Sequence, residues 1–78
     1  MDQCELTSIE QRGRDTLADL EVQRDWLQEG RFVSVEMPRG EAIQIKLSPV
    51  MSEGKLLRLK GKALAGGGDL LIRICVAN

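Results

Sequence analysis

The sequence predicts an all-β fold. Two observations predict it. From residue 31 onward, apolar and polar residues alternate with a period of two, and each break in that alternation falls on turn-forming residues. Val33, Val35 and Met37 alternate with Ser34 and Glu36, and Pro38-Arg39-Gly40 then turns the chain. Ile43, Ile45 and Leu47 alternate with Gln44 and Lys46 until Ser48-Pro49, and a loop runs to Gly54. Pro49 cannot donate to a strand ladder and belongs in that connection. Leu57 and Leu59 alternate with Arg58 and Lys60, while Leu70, Ile72, Ile74 and Val76 alternate with Arg73 and Cys75. Gly66-Gly67-Gly68 reads as a flexible loop between strands. A period of two buries one face and wets the other, as an antiparallel sheet does.

Residues 5–30 are open on pattern alone. Leu17, Leu20 and Leu27 stand at helical spacing among good helix formers, although Gly13 weakens any helix through it. Ala18, Leu20 and Val22 also alternate with Asp19 and Glu21, as a strand would.

Seventy-eight residues form at most one domain with a small core. With 42% apolar residues the chain is globular, and Trp26 and Phe32 are its only aromatics, so aliphatic side chains must fill the core. Eleven basic and twelve acidic residues are mixed without a basic block, which argues against a nucleic-acid or membrane-surface partner. No apolar run could span a bilayer, and the acidic start of the chain is unlike a secretory signal. Cys4 and Cys75 are too few for a metal framework and make at best one disulfide; they read as two free thiols in a reducing cytoplasm. Cys75, among apolar neighbours, is expected to pack against the protein.

Catalytic chemistry has little to work with. The chain has no histidine, which removes the usual general base and the commonest metal ligand. Asp19 and Glu21 share a strand face and read as a solvated face. The glycine triplet lacks the GxxxxGK pattern of a phosphate cradle. Lys60 and Lys62 flank Gly61 and read as the solvated end of a strand. No enzyme activity and no cofactor are expected.

The order and spacing of short motifs carry a resemblance. Residues 45–76 read IKLSPVMSEGKLLRLKGKALAGGGDLLIRICV. Ser48-Pro49-Val50 stands for a Pro-Pro-Gly-like turn, followed by Gly54, Leu57-Arg58-Leu59, Gly61-Lys62-Ala63 and Gly68-Asp69-Leu70. Residues 15–40, DTLADLEVQRDWLQEGRFVSVEMPRG, hold a strand opening at Asp15, a short turn over residues 25–28 closed by Gly30, and a second strand over 33–37. Over residues 15–76 the chain resembles the C-terminal substrate-binding domain of DnaJ-type co-chaperones. Val50 and Ala63 replace glycines of that pattern, Arg24 a leucine, and Trp26-Leu27 an acidic residue and an alanine.

The resemblance implies a small two-sheet antiparallel β-sandwich with one short helical turn. Strands are expected near 17–22, 33–37, 42–47, 56–60 and 70–76, with residues 1–14 a tail or linker. It implies a module that holds unfolded polypeptide by strand addition, for hand-off to a DnaK-type chaperone through a longer parent protein. Carried over position by position, the peptide groove would be lined by Ala18, Leu20 and Val22 of the first strand and Val33, Val35 and Met37 of the second. Alternating apolar residues on strands also simply make core, so both roles stand open for these six. The His-Pro-Asp triplet, paired Cys-x-x-Cys motifs and a terminal dimerisation helix are missing. The rival expectation is an α+β structural or dimerisation module, with residues 5–28 a helix covering the sheet.

Overall fold

The structure is a computed structural model that describes residues 2–64 and 66–77. The chain runs β1 (Asp2–Arg12), β2 (Asp15–Gln23), α1 (Arg24–Glu29), β3 (Phe32–Glu36), β4 (Ala42–Lys46), β5 (Leu56–Leu59) and β6 (Leu70–Ala77). The all-β expectation holds, and the five expected strands and the helical turn lie where the alternation and the motif spacing placed them.

The arrangement of the strands differs from the expected sandwich. They form one six-stranded mixed sheet in the order β4-β3-β1-β2-β6-β5. Two of its pairings are parallel: β1 with β3, and β2 with β6. Alternation marks which face of a strand is buried but not the direction of its neighbour, so the parallel pairs were invisible to it. One contiguous core draws side chains from β3 and β4 near one edge of the sheet and from β6 near the other. The sheet must curl to bring them together.

Residues 2–12, expected as tail or linker, form β1; Met1 lies outside the described residues. The long helix of the rival expectation is also overturned, since residues 5–23 are strand and hairpin turn and α1 is a single short helix. Alternation wins here because Thr16, Ala18, Leu20 and Val22 each reach full burial on one face of β2. A helix would have scattered them around its circumference. Burying each leucine-sized side chain contributes about 1.5–3 kcal/mol. The helix stops at Gly30, whose left-handed φ of 66° lets its N–H return to the Leu27 carbonyl.

The loop before β6 is tied down at its ends. Thr16 Oγ1 donates to Gln11 Oε1 at 2.7 Å and accepts the Leu64 N–H at 2.7 Å, so this fully buried hydroxyl is satisfied on both sides. Asp69 accepts from the Gly61 N–H and from Arg58. Gly68, expected in a flexible stretch, is buried against the Arg14 backbone, where a Cβ would lie 1.5 Å from the carbonyl oxygen.

Candidate functional site

The six residues expected to line a peptide groove are all core. Ala18, Leu20, Val22, Val33 and Val35 are fully buried and Met37 is 2% exposed. β3 is paired on both sides over residues 33–36, and β2 over residues 16–20, whereas residues 21–23 of β2 pair with β6 alone. The structure brings the six together around one core but opens no groove along them. Only Met37 reaches a surface cleft.

The reason lies in β1, which serves two neighbours in succession. Residues 2–5 pair in parallel with residues 33–36 of β3, in the register Asp2↔Val33, Gln3↔Ser34, Cys4↔Val35 and Glu5↔Glu36. Residues 6–12 pair antiparallel with β2. Between Thr7 and Glu10 the strand advances three residues while β2 advances two, from Asp19 to Leu17, so one residue is extra. Ser8 takes the left-handed φ of 52° at this bulge. A bulge with a left-handed residue bends a strand sharply; here it lies inside the β1–β2 pairing, after β1 has changed partner between Glu5 and Leu6.

Residues 2–5 therefore lie on β3 as an added strand. The side chains divide by the usual alternation: Gln3 and Glu5 are exposed, whereas Cys4 is buried within the core cluster. Burial pushes the Cys4 thiol above its ordinary pKa, and the Asp2 carboxylate adds to the shift. Asp2 Oδ2 accepts a hydrogen bond from Arg31 Nη1 at 2.5 Å. Arg31 also donates to Glu29 and lies over the Trp26 ring, 5.6 Å from its centroid, so the guanidinium is held in place from two further sides. Glu5 and Glu36 face one another in register, and neither has an ion pair among the described residues. Like charges directly opposite on neighbouring strands weaken the pairing.

Where β1 bends away from β3, an open cleft of about 300 Å³ remains, lined by Glu5, Leu6, Ile9, Glu36, Met37 and Pro38. Its lining sets apolar side chains, Ile9 among them at 46% exposed, beside the two facing carboxylates. A second hollow, lined by Gln3, Cys4, Glu5 and Glu36, adjoins it. The outer edges of β4 and β5 are open as well. Phe32, 49% exposed, sits beside β4 with Lys46 Nζ 5.7 Å above its ring.

The other singled-out residues have structural partners. Asp19 is bonded to Arg73, with Nε donating to Oδ1 at 2.9 Å, and Lys62 donates to Glu41 at 2.9 Å, whereas Glu21 and Lys60 are exposed. Cys4 and Cys75 are free thiols, and Cys75 is half-buried. Among the described residues no group of three or more acidic, cysteine or histidine side chains is placed to hold a metal ion. No described helix is long and apolar enough to cross a membrane.

Asp2, Glu5, Leu6 and Ile9 were not among the residues singled out from the sequence, and Cys4 was read there only as a thiol. Cys4 and Leu6 do alternate with Glu5, a short signal that the bulge at Ser8 interrupts. No known family model matches the chain, and no curated protein matches it.

Proposed function

We propose that the chain is a binding module for extended, unfolded polypeptide. It takes a segment as an added strand and seats alternate side chains in apolar hollows. One observation carries this: β3 already accepts an extended segment on its edge, residues 2–5, with Cys4 turned into the core and Gln3 and Glu5 turned out. Val33, Val35 and Met37 are the β3-side residues that a bound segment would lie against, and Ala18, Leu20 and Val22 form the floor behind them. The DnaJ-type resemblance supports the same activity, as the substrate-holding part of a co-chaperone that passes clients to a DnaK-type chaperone.

Binding is weak in this scheme. Ordering each peptide residue costs roughly 1–2 kcal/mol, and each buried leucine-sized side chain returns about 1.5–3 kcal/mol. Two or three seats give affinity on the order of micromolar or weaker. Fast release follows, as a hand-off requires.

An NMR titration with an unfolded, leucine-rich peptide tests the proposal. Amide shifts are expected in residues 33–37 and in residues 2–6, with the β6 amides little changed. A titration without shifts, or with shifts confined to β5 and β6, would overturn it. The chain alone is expected to leave the ATPase rate of a DnaK-type chaperone unchanged, because it has no His-Pro-Asp triplet; several-fold stimulation would contradict that.

A structural module without client binding has the open edge of β4 in its favour, since edges pair with edges. It predicts a mass that doubles with concentration and no peptide-induced shifts.

A further inference from the structure

We infer that residues 2–5 are a tethered stand-in for the client, and that their chemistry gives the class of segment this site takes: an acidic residue, any residue, a small apolar residue, then a basic one. The inference rests on the strand-addition reading above and adds to it which segments are preferred and how they gain entry.

Each position follows from what the β3 side presents. At the first, Arg31 is already aimed at a carboxylate, fixed by Glu29 and by the Trp26 ring, and Asp2 fills the place. A guanidinium fixed in this way selects an acid and rejects a base. The third position is a buried seat opposite Val35, filled by Cys4. It holds a small apolar side chain, so alanine or valine fits and an aromatic does not. The fourth position faces Glu36, which has no cation among the described residues. Here the resident segment is a poor match, because Glu5 sets a second carboxylate against the first. A client with lysine or arginine at this place makes an attractive pair where residues 2–5 make a repulsive one.

That mismatch also explains how a client can enter. Residues 2–5 cover the only side of β3 not taken by β4. They run directly into Leu6, from which residues 6–12 are held separately by β2, with the bulge at Ser8 inside that pairing. The segment can leave β3 while the β1–β2 hairpin stays formed. Its departure exposes the unpaired edge of residues 33–36 and empties the seat of Cys4.

Cys4 makes the exchange measurable in the full chain. In a Cys75→Ser background, N-ethylmaleimide labelling of Cys4 under native conditions reports release of the segment. Three short peptides serve as probes: one carrying Asp-Thr-Ala-Lys, one the charge-reversed Lys-Thr-Ala-Glu, and one Asp-Thr-Trp-Lys. At about ten times its dissociation constant from the open form, a competing ligand raises the open fraction roughly tenfold. The first peptide is expected to accelerate labelling by about that factor, and the other two by little. In the doubly reversed variant Arg31→Glu with Glu36→Lys, at one half-buried and one exposed position, the preference should pass to the second peptide. Equal acceleration by all three would overturn the assigned class while leaving strand addition intact. Binding seen by NMR without faster labelling would overturn displacement. No binding of any peptide by either method would remove the strand-addition reading and this inference with it.

Discussion

Two glycines of one triplet illustrate how much a single residue's surroundings decide. A Cβ on Gly68 would lie 1.5 Å from the Arg14 oxygen and 2.3 Å from its carbonyl carbon, whereas a Cβ on Gly66 meets nothing within 4 Å. The obstruction at Gly68 is backbone, which cannot swing aside as a side chain does. Gly68→Ala is expected to cost about 1–3 kcal/mol or more through overpacking, and Gly66→Ala close to nothing. Urea midpoints of the two variants check this, and equal midpoints would refute it. The sequence gives no hint of the difference, because three consecutive glycines look alike until the Arg14 backbone is packed against one of them. Leu20 and Met37 present the opposite case: both are inward-facing in the alternation and both are buried. Leu20→Ala and Met37→Ala should each cost about 2–5 kcal/mol. Met37 also lines the cleft. Its variant should therefore weaken peptide binding even under conditions where it remains folded, and a Met37→Ala protein that is destabilised yet binds normally would confine Met37 to the core.

At the scale of elements, five strands were legible and β1 was not, for a physical reason. β2, β3, β4, β5 and β6 each keep one side chain in two inward, so the alternation is visible in the residue string. β1 keeps it only as far as Leu6, and Ile9 then falls three positions on, across the bulge. Ser8 pays for the bend with a left-handed backbone that costs a non-glycine residue about 1–2 kcal/mol. Ser8→Gly relieves that strain, and Ser8→Val, β-branched, deepens it. Their unfolding free energies from urea titration should differ by about 1–2 kcal/mol in favour of glycine, and the reverse order would mean that the bend does not need a left-handed residue. The end of the β5–β6 pair carries a pH dependence. The Gly61 N–H, and after it Arg58, hold the Asp69 carboxyl below its ordinary pKa. A carboxyl depressed in the folded state adds stability above its unfolded pKa and loses it as pH falls through the folded value. Asp69→Asn should thus lower the urea midpoint at neutral pH, with the gap to the parent closing in acid below the ordinary aspartate range. A gap independent of pH would assign the effect to hydrogen-bond geometry rather than charge.

At the scale of the molecule, the sheet is organised around a pairing that no local pattern encodes. β2 and β6 run parallel over residues 16–23 and 70–77, and Asp19 meets Arg73 across 54 residues of chain. Both strands lie inside the strand order, and Leu20, Val22, Leu70, Ile72 and Ile74 are fully buried. Residues 2–5 stand at the other extreme. They contribute a single buried side chain, Cys4, one surface ion pair, Asp2–Arg31, and one like-charge pair. Opening free energies in one protein range from near zero for weakly held segments to the global value for the central core. Native-state hydrogen exchange should place these two regions far apart. The amides of β2 and β6 should exchange only through global unfolding, with rates that rise steeply with urea because much surface is exposed in that opening. The amides that pair residues 2–5 with β3 should exchange more than about tenfold faster, a gap of roughly 1.4 kcal/mol, and with little urea dependence. Those rates should rise together with Cys4 labelling, since both report one opening. Exchange of residues 2–5 at the global rate, with the full urea slope, would mean that β1 is an integral strand of the core, and that no client can reach the β3 edge without unfolding the protein.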